Sequence, residues 1–121
     1  MWPDAVCHGF YPIDIHRPDG NGIDKTHLRH GVVPTVPRDA MVPNDNPYAI
    51  VAGRCVGADQ AANSALRVQA TAMATGQAAG ALAALSGDRG GDVTGVPMAD
   101  LHRVLVDAGA IVPTLPAGVD D

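Results

Sequence analysis

The sequence predicts an α/β chain, an α+β fragment with short strands, one long buried helix and a C-terminal amphipathic helix. Three observations predict it. Ala49-Ile50-Val51-Ala52 is a short apolar run with β-branched residues at its centre, which reads as a buried strand. From about Arg67 the chain becomes a proline-free run of Ala, Met, Leu, Thr and Gly of helical length, expected as a helix over Val68–Leu85. Residues 1–48 are dense in proline and glycine, with short β-like pieces between them. Strand, loop and helix in that order make half of a nucleotide-binding unit.

The clearest β-like piece before residue 49 is Phe10 to His16. In an extended chain Ile13 and Ile15 face one side, Asp14 and His16 the other. Arg17-Pro18-Asp19-Gly20-Asn21-Gly22 is a strong turn. Val32-Val33 and Ala40-Met41-Val42 are candidate short strands, interrupted by Pro34, Pro37 and Pro43. A second turn, Pro43-Asn44-Asp45-Asn46-Pro47, delivers the chain to the strand at 49–52. Gly53-Arg54-Cys55 ends that strand, and a loop rich in small and polar residues is expected to run to Leu66.

Within the long helix, Ala72, Gly76, Ala79, Gly80 and Ala83 share one face almost without side chains. Thr71, Thr75, Ala78, Leu82 and Leu85 form a second, modestly apolar stripe. The expectation is a helix buried nearly all round, with the Gly76/Gly80 face in close contact with another backbone. A glycine costs roughly 1 kcal/mol relative to alanine inside a helix, and close packing would offset it. The free N–H groups and positive dipole end at its N-terminus suit a phosphate or a carbonyl oxygen. A plain buried core helix is the alternative.

Ser86 to Gly95 is a glycine-rich loop. Pro97 opens an amphipathic helix with Leu101, Val104, Leu105 and Ala108 as its apolar face and Asp100, Arg103 and Asp107 outside. Gly109 is its stop. Residues 113–121 read as a frayed tail. The organisation expected is 1–48 as short strands and turns, 49–86 as strand-loop-helix, and 87–121 as loop, helix and tail.

A chain of 121 residues can build one small domain. Its net charge of −5 and its scattered basic residues exclude a nucleic-acid footprint. The helix at 68–85 is mostly Ala and Gly, too weakly hydrophobic to span a membrane. No signal peptide is visible at the N-terminus, although a missing N-terminal part could carry one. Cys7 and Cys55 are the only cysteines. They could pair in principle, yet two isolated thiols fit a reducing compartment, and a cytoplasmic location is expected. Cys55 itself reads as a small buried hydrophobe at a strand end. No Cys-x-x-Cys motif supports redox disulfide chemistry.

Several ordered motifs resemble one family. Ile50-Val51-Ala52-Gly53-Arg54-Cys55, then Arg67, then Gly76-Gln77-Ala78-Ala79-Gly80-Ala81 look like the C-terminal FAD-contacting segment of the FAD-dependent oxidoreductases. Those enzymes share the two-domain flavoprotein fold of glutathione reductase and fumarate reductase. Tyr11-Pro12-Ile13-Asp14-Ile15-His16 looks like the family's corresponding strand, and Val36-Pro37-Arg38 and Met41-Val42-Pro43 like the approach to the Gly-Arg-Cys segment. The likeness extends to the helix around Leu101–Gly109, so it covers nearly the whole chain.

This chain departs from the family in three places. Gly57 stands where the family usually has serine, and Gln69-Ala70-Thr71 where it commonly has Met-Pro-Thr. The Gly-x-Gly-x-x-Gly turn that cradles the FAD pyrophosphate is absent. Gly87-Asp88-Arg89-Gly90-Gly91 follows a helix rather than a strand and is no substitute. The chain therefore reads as the last part of such a protein, to be completed by a missing N-terminal FAD-binding segment or by self-association.

The resemblance implies FAD as cofactor and a small-molecule substrate, with residues 1–48 as part of a substrate or cap region and 49–86 as part of the FAD-binding domain. It puts the strand bearing His16 close to the flavin, with Asp14 on the same face. A histidine there can stabilise negative charge or move a proton, whereas the structural alternative is a strand histidine bonded to Asp14. Arg54 and Arg67 are the cofactor-binding candidates by guanidinium, against a role as loop anchors. Gly53, Val68, Ala70 and Thr71 are candidates through their backbone. His8, His16, His27 and His30 form no recognisable metal-ligand spacing, and Ser64 and Ser86 lie in no nucleophile elbow. The enzymatic reading is the C-terminal part of an FAD-dependent oxidoreductase, contributing flavin-side contacts to hydride transfer. The alternative is a truncated non-catalytic remnant, or a subunit that docks with another chain.

Overall fold

The computed structural model describes residues 2–114. In chain order the elements are β1 (Ala5–His8), β2 (Ile13–His16), β3 (Ile23–Thr26), β4 (Thr35–Pro37), α1 (Gln60–Leu66), α2 (Gln69–Ser86) and α3 (Met98–Asp107), with short 3-10 turns at Arg38–Met41, Gly53–Cys55 and Gly87–Arg89. The mixture is the α/β class expected.

The strands form two antiparallel pairs, β1 with β4 and β2 with β3. The second is a hairpin in which Asp14 stands opposite Lys25 and His16 opposite Ile23. Its turn is the expected one: Arg17 N–H donates to the Gly22 carbonyl at 3.0 Å, and Gly20 and Gly22 take positive φ. β3 is exposed throughout, and its Ile-Asp-Lys-Thr carried no apolar alternation to reveal it. β1 was also unforeseen. Ala5, Val6 and Cys7 are all buried, a continuous apolar run too short to have a period.

The expected strand at Ala49–Ala52 does not form. The segment has no regular structure, although Ala52 is extended and Val51 N–H donates to the Met41 carbonyl at 2.8 Å. A strand is defined by a ladder, and no described strand lies alongside to make one. Ala40-Met41-Val42 is not a strand either, since Arg38–Met41 is a 3-10 turn. Val32 and Val33 lie exposed outside any strand, and pairing resumes only after Pro34, which lacks an N–H to give. The expected loop before Leu66 contains α1. Asp59 caps it, its Oδ1 accepting the Ala62 N–H at 2.7 Å.

α2 starts and stops within a residue of expectation, with Val68 at its N-cap, but its orientation corrects the sequence reading. The buried stripe is Thr71, Thr75, Ala78, Leu82 and Ser86. Gly76 and Gly80 are exposed, and a Cβ at either would meet nothing within 4 Å. The helix is therefore not buried all round. Burial is driven by apolar area removed from water, and the stripe bearing Leu82 has area to bury where the glycine face has almost none. That stripe packs against β1 and α3.

α3 begins after Pro97 and buries Met98, Leu101 and Leu105, while Ala108, expected on its apolar face, is exposed at the C-cap. Gly109 ends it at φ 79°, with Gly109 N–H donating to the Val106 carbonyl and Ala110 N–H to the Leu105 carbonyl. That is a Schellman closure. Pro113 is buried rather than frayed, and the rest of the expected tail, from residue 115, lies outside the described residues. One core unites Val6, Val36, Met41, Leu82, Leu101 and Leu105. Cys7 belongs to it, but Cys55 is exposed, contrary to expectation, and both thiols are free.

Candidate functional site

The hairpin and α1 meet at Asp14. Its backbone N–H donates to Ser64 Oγ at 3.0 Å, and Ser64 Oγ in turn donates to the Ala61 carbonyl at 2.7 Å. The Asp14 side chain is turned inward, leaving the residue 5% exposed. Tyr11 donates its hydroxyl to Oδ2 at 3.0 Å. Oδ1 is sealed from solvent and has no hydrogen-bond partner. His16, two residues along and on the same strand face, holds Nε2 3.7 Å from that oxygen. The pairing of Asp14 with His16 on one face is the expected one.

Asp14, His16 and Ser64 line an open pocket of about 300 Å³ walled mainly by polar residues. Arg54, from the Gly53–Cys55 turn, and Arg67, from the C-cap of α1, line it too. Arg67 Nη2 donates to the Asp14 carbonyl at 3.4 Å. Among the described residues neither arginine joins an ion pair, so both guanidinium charges remain available to a ligand.

A second pocket, of about 420 Å³, opens at the start of α2 and is mostly apolar. Val68, Ala70 and Thr71 line it, facing Phe10, Tyr11 and Cys7. Val68 offers no side-chain cap, and the first helical bond runs from Ala72 N–H to the Val68 carbonyl. The N–H groups of Gln69, Ala70 and Thr71 therefore have no helical acceptor. Gly53 is tied to this helix. At φ 67° it donates its N–H to Thr75 Oγ1 at 2.9 Å, and its position for a Cβ lies 3.5 Å from Ala72 Cβ. Cys7 is buried beside β4, and desolvation pushes its thiol up to about 11 despite a backbone hydrogen bond at Val36 that lowers it.

The residues singled out in the sequence thus fall into two neighbouring groups. Asp14, His16, Arg54 and Arg67 share the polar pocket, and Val68, Ala70 and Thr71 share the apolar one, with Arg67 and Val68 adjacent in the chain. Arg54 and Arg67 line the pocket of the Asp14–His16 pair and not the apolar pocket at the start of α2. Tyr11, read only as part of a family motif, and Ser64, weighed only as a nucleophile, were not expected beside Asp14. Tyr11 stands three residues before Asp14, a spacing with no meaning until the chain bends at Tyr11 itself, and Ser64 is fifty residues away. Among the described residues no group of His, Cys, Asp or Glu could hold a metal ion.

Residues 1–105 match the family model for FAD dependent oxidoreductases. The chain belongs to that family. No curated protein and no solved structure matches it. FAD is the family's cofactor, and the start of α2 fits it: free backbone N–H groups face a largely apolar cavity, within the size range of small-ligand sites. No described helix is long and apolar enough to cross a membrane.

Proposed function

We propose that this chain supplies the flavin-side and substrate-side contacts of an FAD-dependent oxidoreductase built on the glutathione-reductase/fumarate-reductase two-domain plan. The observation that carries the reading is the adjacency of the two pockets, one with free N–H donors at a helix start and one with a carboxylate–imidazole pair. When bound, FAD would accept a hydride from the substrate. The backbone of Val68, Ala70 and Thr71 would hold it, with Gly53, whose N–H is taken by Thr75, bracing the helix rather than meeting the cofactor, and Arg54 and Arg67 would act from the neighbouring pocket. Asp14 orients His16, and His16 takes the proton that leaves the substrate with the hydride. Tyr11 fixes the Asp14 carboxylate, so that Oδ1 is the oxygen left for the imidazole.

The pyrophosphate turn would come from another segment. The exposed Gly76/Gly80 face of α2, beside Met73 at 70% exposure, is the surface we assign to it, with a second copy of this chain as the competing occupant. Two free thiols support a reducing, cytoplasmic setting.

Equilibrium difference absorbance of FAD with the chain tests the reading, using Ala70→Trp as the blocked form. Ala70 is exposed on the first turn of α2, outside the core, and lines the apolar pocket, so a large side chain there is expected to fill the pocket rather than the core. A flavin band shifted by the wild type and not by Ala70→Trp is expected. Equal spectra from both would remove α2 from the cofactor site.

A further inference from the structure

We propose that the polar pocket takes a small hydroxycarboxylate, an anion with a hydroxyl group next to its carboxylate. This rests on the reading of the site as the substrate side of an oxidoreductase and names the substrate class. Two features of the pocket specify the ligand independently. Arg54 and Arg67 bring guanidinium groups with no ion-pair partner among the described residues, and guanidinium forks match a carboxylate. Asp14 Oδ1 specifies the other end. A buried carboxylate oxygen without a donor is costly, and His16 Nε2, at 3.7 Å, is positioned to supply one. Closing that gap fixes the proton on Nε2 and leaves Nδ1 as an acceptor. The His16 side chain is 61% exposed, so Nδ1 is open to a ligand hydroxyl. The ligand therefore has to present a negative group to the arginines and an O–H to the imidazole.

Isothermal titration of the chain with lactate, propionate and lactamide separates the two requirements without any flavin. Lactate carries both groups, propionate lacks the hydroxyl, and lactamide lacks the charge. One hydrogen bond to a fixed acceptor is worth about tenfold in affinity, so lactate should bind about tenfold more tightly than propionate, and lactamide more weakly than either. His16→Leu, at an exposed position, should bring lactate down to propionate, and Arg54→Gln should weaken both acids alike. Propionate binding as tightly as lactate, or no binding of either acid, would overturn the proposal. Lactate binding with no flavin shift would sustain this site while removing the flavin reading. A flavin shift with no carboxylate binding would do the reverse.

Discussion

His16 Nε2 lies 3.7 Å from Asp14 Oδ1, on one face of β2, with the imidazole exposed and the carboxylate buried. The hairpin sets the spacing, because residues two apart on a strand point the same way. The burial comes from α1, through Ser64. Replacing Tyr11 by Phe should free Oδ2 without touching the strand. The expected outcome is a reoriented His16 imidazole, read at one fixed pH as changed ring proton chemical shifts and changed contacts between that ring and the Asp14 strand by NMR. Unchanged ring signals would mean that Tyr11 does not hold Asp14 for the imidazole.

Thr75 ties the Gly53 turn to α2. It is fully buried, accepts the Gly53 N–H at 2.9 Å and donates to the Thr71 carbonyl at 3.0 Å. Thr75→Val keeps the shape and leaves the Gly53 N–H without its partner. A loss of about 1–3 kcal/mol is expected in urea unfolding. A loss well below that would show that the turn is anchored elsewhere.

Gly76 should respond in the opposite direction. Nothing stands within 4 Å of a Cβ built there, so Gly76→Ala is expected to stabilise the chain by roughly 0.8–1.0 kcal/mol through helix propensity. The same substitution should weaken association with any segment that packs closely on this face. Destabilisation of the chain alone would show that the face is covered.

Cys7 and Cys55 should separate cleanly in chemistry. Cys7 is buried with its thiol pushed up to about 11, whereas Cys55 is exposed. Maleimide labelling followed by mass spectrometry should modify Cys55 first and Cys7 only on unfolding. The folded chain keeps its Cys7 proton where the unfolded chain releases it, so stability should fall as pH rises from about 9 towards about 11. The full loss is on the order of 2–3 kcal/mol, and Cys7→Ala should lack this pH dependence.

The long helix, the strand within 10–16, its turn and the final helix were legible because each rests on local chemistry: periodicity, turn residues, a proline start and a glycine stop. What escaped depends on partners distant in the chain. The Ala49–Ala52 run has strand composition but no strand beside it. The glycine face of α2 was read as buried because small residues permit close approach, yet permission is not a driving force. α1 was hidden because its helix signal is a single Asp59 cap on seven residues. The site was half legible. Asp14 and His16 follow from alternation, but the arrival of Arg54, Ser64 and Arg67 beside them needs the tertiary fold.

We propose that this chain recognises the flavin end of FAD and not the adenosine end. Flavin fluorescence tests it directly, with the chain titrated into FAD and challenged by riboflavin and by ADP. The start of α2 and the neighbouring apolar pocket can meet a flavin ring, whereas the sequence holds no Gly-rich pyrophosphate turn. Weak FAD binding that riboflavin displaces and ADP does not is the predicted result. Displacement by ADP but not by riboflavin, or tight stoichiometric FAD binding to a monomer, would contradict the account.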